Sequence, residues 1–213
     1  LPFYLHFGVD GRQGLPKEFE NLIDREGART KNGRDLSDGE FACALSHRTI
    51  YQEVVKRNAP GAIVLEDDAV VDRKLRDFIE MKGYEAANLV MLDHSHARVR
   101  GPRIQLGDIF EARKLSLPSC LTTAYSISLE GCANLIAATS PLVDLADWPG
   151  DICGLEALAL APQIVAHPDS SSGISHMRDG RTGLTGARSS PFRFLQYAFW
   201  SRWVTKRLST RIS

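Results

Sequence analysis

The run Gly61, Ala62, Ile63, Val64, Leu65 holds no polar side chain and stops in three consecutive carboxylates, Glu66, Asp67 and Asp68. An apolar stretch of that length after the turn pair Pro60, Gly61 predicts a strand covered on both faces, as in parallel sheets. Upstream the period becomes helical. Ser37 with Glu40 three residues later forms a capping box, and a helix is predicted over residues 41–57, running out at Asn58 before Pro60. Within it Cys43, His47, Ile50 and Val54 recur at intervals of 4, 3 and 4, which sets His47 on a largely apolar face.

Downstream the same signals predict a helix over residues 72–81 ended by Gly83, and a buried strand over 88–92 terminating in Asp93. A strand over 122–128, helices over 130–139 and 151–160, and a last strand over 163–166 follow. Residues 95–117, rich in Arg, Gly and Pro, read as a loop with a short hairpin near Ile104 and Ile109, suited to a lid or acceptor loop. The Ser, Gly, Thr and Arg run over 169–190 reads as a linker. Strands alternating with helices through short joins predict an α/β sandwich with a mostly parallel sheet flanked by helices. Ligands of such a sheet gather beyond the carboxyl ends of its strands, where Glu66, Asp67 and Asp68 would sit.

Three adjacent carboxylates disfavour one another unless a divalent cation or another positive group compensates, so the triplet is a candidate metal and diphosphate site. The plainer alternative has one acid capping the next helical segment and the others solvated. Asp68 is the first candidate ligand for Mn²⁺ or Mg²⁺ and Glu66 the second, because alternate residues of an extended segment point the same way. Asp67 then faces donor hydroxyls or the following helix, and a turn starting at Glu66 would invert the assignment. His94 and His96, two apart in a loop, are a weak metal signal.

With 213 residues and 43% hydrophobic content the chain can bury a full core. No apolar run approaches the roughly 18 residues of a membrane span. Cys43, Cys120, Cys132 and Cys153 lack paired short spacing, which argues against a zinc site or a disulfide framework and for a reducing compartment. Lysine plus arginine and aspartate plus glutamate both number 26, but from Arg178 onward eight basic residues face the single acid Asp179. In that tail Phe192, Leu195, Phe199 and Trp203, and beside them Trp200, Val204 and Leu208, keep helical spacing among Arg193, Arg202, Lys206, Arg207 and Arg211. This reads either as a basic amphipathic helix for an anionic bilayer surface or as a terminal helix docked by its aromatic side; nothing else supports nucleic-acid binding. The expected division is a catalytic domain over residues 1–177 and a linker with the basic helix over 178–213.

Two blocks carry a family resemblance: Gly39-Glu40-Phe41-Ala42-Cys43-Ala44-Leu45-Ser46-His47, and after the helix Ala62-Ile63-Val64-Leu65-Glu66-Asp67-Asp68-Ala69. Together they resemble the signature of glycosyltransferase family 25, which includes lipooligosaccharide galactosyltransferases of Gram-negative bacteria. Looser matches are Phe3 to Gly11, Thr123 to Ser128 with Glu130 to Ala133, Pro141 to Asp147, and Pro162 to Pro168. The family opens on an apolar strand, an Asn-Leu pair and an arginine, and this sequence starts after that stretch, so a sheet lacking its first strand is expected.

The resemblance implies a GT-A type nucleotide-sugar fold and a metal-dependent, inverting transfer of a hexose, galactose foremost, from a UDP-sugar to a lipid-linked lipooligosaccharide or lipopolysaccharide core acceptor. It implies donor contacts from Asp10, Ser46, His47, Glu66 and Asp67, and a location at the cytoplasmic face of the bacterial inner membrane. A late histidine often completes such a metal site, which points to His167 and more weakly to His176. Inversion needs one carboxylate to take up the acceptor's proton. Asp147, beside Trp148 as a stacking platform for a sugar, comes first, then Asp93 and Asp151. Rival readings are a phosphate-ester hydrolase using the same acids and a non-catalytic sugar-nucleotide or membrane-binding module.

Overall fold

The computed structural model describes residues 2–167 and 197–212. These fall into two compact units, one built from residues 2–59 and 132–150, the other from 60–131, 151–167 and 197–212. The expected boundary at residue 177 lies outside the described residues.

The first unit is helical. After a 3-10 turn at Lys17–Leu22 come helix α1 (Arg25–Asn32) and helix α2 (Asp38–Lys56). Asp24 caps α1 by accepting the Gly27 amide, and Gly33 ends it in the left-handed conformation at φ 67°. The capping box foreseen at Ser37 and Glu40 forms in full: Ser37 Oγ accepts the Glu40 amide at 3.3 Å and Glu40 accepts the Ser37 amide at 2.9 Å. Glu40 is fully buried, and Arg34 donates to both its oxygens at 2.8 and 2.6 Å. Leu15, Ala28, Leu36, Phe41, Ala42, Leu45 and Leu142 make the core of this unit.

The second unit carries the sheet. Its strands are β1 (Gly61–Leu65), β3 (Leu89–Met91), β4 (Arg98–Leu106), β5 (Phe110–Leu117), β6 (Ala124–Ser128), β7 (Leu158–Ala161) and β9 (Thr210–Arg211), in spatial order β1-β6-β3-β7-β5-β4-β9. The short β2 (Val70–Val71) and β8 (Val165–Ala166) pair antiparallel as a separate ribbon. Helix α3 (Lys74–Glu80) follows β2, helix α4 (Leu129–Ala138) follows β6, and helix α5 (Tyr197–Leu208) precedes β9. Phe78, Val90, Leu92, Phe110, Leu158 and Leu160 are among the core side chains.

The α/β class holds, but the sheet is mixed rather than mostly parallel. Only β3 with β7 pairs parallel; every other neighbouring pair is antiparallel. Parallel neighbours need a crossover, and where one was read into the alternation of elements the chain inserts the β4–β5 hairpin instead. That hairpin is longer than the short one expected near Ile104 and Ile109, and takes up most of the segment read as a loop. Six consecutive residues of β4, 100–105, are exposed, so no apolar alternation marks it. The helix expected over 151–160 is also absent. Its first half is turns interrupted by Glu156 at φ 60°, and its apolar end is the buried strand β7.

β1 forms as foreseen but is not covered on both faces. It is the outer strand of the described sheet, with Val64 buried and Leu65 40% exposed. Its first residue must be glycine, since a Cβ there would collide with the Ile127 carbonyl of β6.

Replacing Glu40 by alanine leaves a partly buried Arg34 guanidinium without its carboxylate and removes half of the capping box. A loss of about 3–5 kcal/mol follows for a broken buried pair, with a smaller loss for Glu40→Gln; denaturant titration of both variants checks this, and equal losses would contradict it.

Candidate functional site

Strand β6 lies between β1 and β3 and opposes both, which makes β1 and β3 run the same way. The start of β6 therefore sits beside two carboxyl ends at once: Ala124 pairs Leu65, and Tyr125 pairs Met91. The residues just past those ends are Glu66, Asp67 and Asp68 on one side and Asp93 on the other.

The chain turns at Glu66. Its amide donates to the Thr123 carbonyl at 2.9 Å and its carbonyl accepts the Ala69 amide at 3.2 Å. The alternation assumed for an extended segment is thus broken. The Glu66 carboxylate accepts the Thr122 hydroxyl at 2.8 Å. Asp67 and Asp68 are exposed. His167, one residue past β8, stands with Nδ1 3.5 Å from Asp68 Oδ2 and 3.4 Å from Thr123 Oγ1. The β2–β8 ribbon sets this meeting, because β2 begins two residues after Asp68 and β8 ends one residue before His167.

Asp93 is 2% exposed, and its Oδ2 is buried without a hydrogen-bond donor. Burial raises its pKa, opposed by the Thr123 hydroxyl, by the neighbouring His167 and by the His94 backbone amide. The paired Asp68 carboxylate and His167 imidazole are donors that fit Mn²⁺ or Mg²⁺. Of the expected metal ligands, Asp68 and His167 are brought together and Glu66 turns to Thr122, while Asp93, read from sequence as a base, shares with His167 the Thr123 hydroxyl. Burial of Asp93 was legible in the apolar run before it; its nearness to His167 was not.

His94 is buried at the same strand end. Nε2 donates to the Leu160 carbonyl at 2.9 Å, Nδ1 accepts from Gln163 Nε2 at 3.1 Å, and Gln163 also donates to the His94 carbonyl at 2.7 Å. This network holds the neutral ring, and burial lowers its pKa.

The remaining candidates have local partners. Asp151 Oδ1 caps the Cys153 amide at 3.1 Å in a turn, not in a helix. Asp147 is exposed in the first unit, but Trp148 is 3% exposed at φ 68°, so its ring is no open platform for a sugar. Asp10 forms a two-pronged pair with Arg12 at 2.9 and 2.7 Å, which holds its carboxyl down at about 2. Ser46 Oγ accepts the Val9 amide and donates to the Ala42 carbonyl, both at 2.8 Å, fastening the first residues to α2. His47 is buried on α2. His176 lies outside the described residues.

A family model described as Glycosyltransferase family 25 (LPS biosynthesis protein) matches residues 1–152. The chain is similar to procollagen galactosyltransferase 2 of Mus musculus, 29% identical over 113 residues, 50% of this chain and 18% of that protein. It is also similar to inactive glycosyltransferase 25 family member 3 of Homo sapiens, 32% identical over 116 residues, 50% of this chain and 19% of that protein. A probable inactive glycosyltransferase 25 family member 3 of Rattus norvegicus is 27% identical over 140 residues, 62% of this chain and 22% of that protein. The aligned parts thus span about a fifth of these relatives' lengths.

His94 gives the site a pH signature. Its folded pKa lies below the unfolded value of 6.5, so as pH falls the unfolded chain takes up the proton first. Its contribution to stability is complete above that value and drains away as pH drops through it. Melting temperatures between pH 8 and 5 should therefore fall more steeply for the native chain than for His94→Asn; parallel curves would contradict the buried neutral ring.

Proposed function

Because the chain belongs to glycosyltransferase family 25, we propose that it is a metal-dependent inverting hexosyltransferase of the GT-A type, moving galactose from UDP-galactose to a lipooligosaccharide or lipopolysaccharide core acceptor. The observation that supports this reading is the pairing of Asp68 with His167 at 3.5 Å beside Thr123, whose hydroxyl also reaches the buried Asp93. The family model's description supports the acceptor, and relatives named for galactosyl transfer support the sugar.

Asp68 and His167 Nδ1 would hold one Mn²⁺ or Mg²⁺ from the solvent side, and Asp93, linked to His167 through Thr123, would add negative charge from the buried side. Bound there, the cation supplies Lewis-acid neutralisation of the departing diphosphate. Thr123 keeps His167 oriented through its hydroxyl, and Thr122 holds the Glu66 carboxylate aside from the pair. In the transfer an acceptor oxygen bonds to the anomeric carbon as its bond to the diphosphate oxygen breaks. The acceptor's proton must pass to a carboxylate. At 2% exposure Asp93 is poorly placed to meet an acceptor hydroxyl, which leaves the exposed Asp151 as the candidate of the second unit for that role.

A second reading, a member that binds the nucleotide without transfer, is favoured by the inactive relatives at 32 and 27% identity. Both readings expect Mn²⁺ to raise the melting temperature with UDP. Only the first expects UDP release from UDP-galactose with an acceptor glycolipid.

Asp68→Asn and His167→Ala should each abolish the Mn²⁺-dependent thermal shift and lower turnover on the order of a hundredfold or more, as loss of several kcal/mol of charge stabilisation requires. Turnover insensitive to a chelator and to both substitutions would overturn the assignment. Asp93→Asn should weaken Mn²⁺ binding in the same assay; unchanged affinity would return Asp93 to the list of bases.

A further inference from the structure

We propose that helix α5 and the basic hairpin beside it form a docking surface for an anionic lipid bilayer, an interaction independent of the transfer chemistry. From residue 200 on, the helix turns apolar side chains outward. Trp200, Trp203, Val204, Arg207 and Leu208 recur at helical spacing on one face, and its apolar members are 50, 41, 44 and 61% exposed. Among the described side chains of residues 200–209, the polar Thr205 and Ser209 are the half-buried ones. An ordinary surface helix turns its apolar stripe to the core. A contiguous apolar stripe left in solvent marks an interaction surface.

The helix is held in that orientation by the sheet. β9 pairs with β4 through Arg98 with Arg211 and Val99 with Thr210, and the Ile212 amide donates to the Ala97 carbonyl at 2.9 Å. Arg98 Nη1 caps the helix by donating to the Lys206 carbonyl at 2.6 Å. Thr205 faces a cleft of about 400 Å³ lined by Arg100, Lys114 and Ser116 of the hairpin.

Charge selects the partner. Residues 197–212 carry Arg202, Lys206, Arg207 and Arg211 and no acid. The adjoining strands add Arg98, Arg100, Arg103, Arg113 and Lys114 against Glu111. Two copies of so cationic a face repel each other, which disfavours a symmetric dimer. The indoles pack edge to face with centroids 5.8 Å apart, and the Arg207 guanidinium covers the Trp203 ring at 4.4 Å. That leaves poor stacking faces for nucleic-acid bases. Aromatic and branched apolar side chains ringed by cations suit the interface of an anionic bilayer, where indoles settle at headgroup depth.

The test uses the full chain with vesicles of phosphatidylglycerol and phosphatidylcholine, including brominated lipid, against phosphatidylcholine alone. Of the three tryptophans, Trp148 is 3% exposed, so quenching reports on Trp200 and Trp203. Quenching and sedimentation with anionic vesicles, weakened by salt, are expected. Each cation near such a surface strengthens adsorption by about fivefold, so Arg202→Gln, Lys206→Gln and Arg207→Gln together should weaken partitioning about a hundredfold. Trp200→Ser with Trp203→Ser should abolish quenching and binding with circular dichroism unchanged. No binding, equal binding to neutral vesicles, or binding indifferent to these exposed substitutions would overturn the proposal. So would self-association or single-stranded DNA binding through the same residues in place of vesicles. None of the substituted residues belongs to the Asp68, Asp93 and His167 cluster, so vesicle binding and transfer succeed or fail separately.

Discussion

The structure of the second unit depends on one piece of register: β6 lies between β1 and β3 and opposes both. Backbone pairing of this kind cannot slip by one residue without exchanging the faces of the strand, and β6 is buried along Ala124 to Ile127, so its register is fixed by the core. Fixing it brings Thr122 and Thr123 to the carboxyl ends of two neighbours at once. The acids there then share hydroxyl partners from a single strand, Glu66 with Thr122 and Asp93 with Thr123. Without β6 in that place the triplet after β1 and the aspartate after β3 would have no common element.

The two sides of the cluster differ in solvation, and that difference matters more than the number of acids. Asp68 and His167 are 47 and 38% exposed at their side chains, so their mutual attraction is screened and adds little to folding. Asp93 is withdrawn from water with an oxygen unmet, which a folded chain tolerates only at some cost in stability. A carboxylate that is destabilised by burial and shares Thr123 with a histidine gains from any positive charge that arrives nearby. That asymmetry, not the acidic triplet itself, is the stronger argument for a ligand. Two of the triplet's three acids are accounted for by the turn: Glu66 is engaged by Thr122, and Asp67 stands in solvent.

Much of this was legible in the sequence where local rules suffice. The capping box at Ser37 and Glu40, the helix it opens, the apolar runs ending at Glu66 and Asp93, and the helix after Ser128 all follow from short-range pattern. Expectation failed where exposure or handedness decided. β4 is a solvent-facing ladder with no apolar period, and Leu158 to Ala161 is too short an apolar run for periodicity to tell strand from helix. The turn at Glu66 redirected the assignment of side chains because alternation holds only while the backbone stays extended. The nearness of Asp68, Asp93 and His167 depends on strand order, which no local pattern encodes. The general rule that ligands gather past the carboxyl ends of strands is the ground on which these residues were singled out. β1, β3 and β7 share one direction even though most neighbouring pairs in the sheet do not.

The same sheet that gathers the acids at one set of strand ends also fixes the helix that exposes its indoles. β9 adds only two residues to the outer edge of β4, yet that pairing and the Arg98 cap set the roll of α5 about its axis. Had the stripe of Trp200, Trp203, Val204 and Leu208 been needed for the core, a rotation of roughly half a turn would bury it, since i, i+3, i+4 and i+8 positions share one side of a helix. The strand pairing opposes that rotation. It also means that cutting away the tail would strip an edge strand from β4 along with the helix, so only substitutions on the outer face separate an interfacial role from a structural one. One short backbone ladder and an arginine thus hold apolar side chains toward solvent, which suits a surface made for contact rather than a helix packed for its own burial.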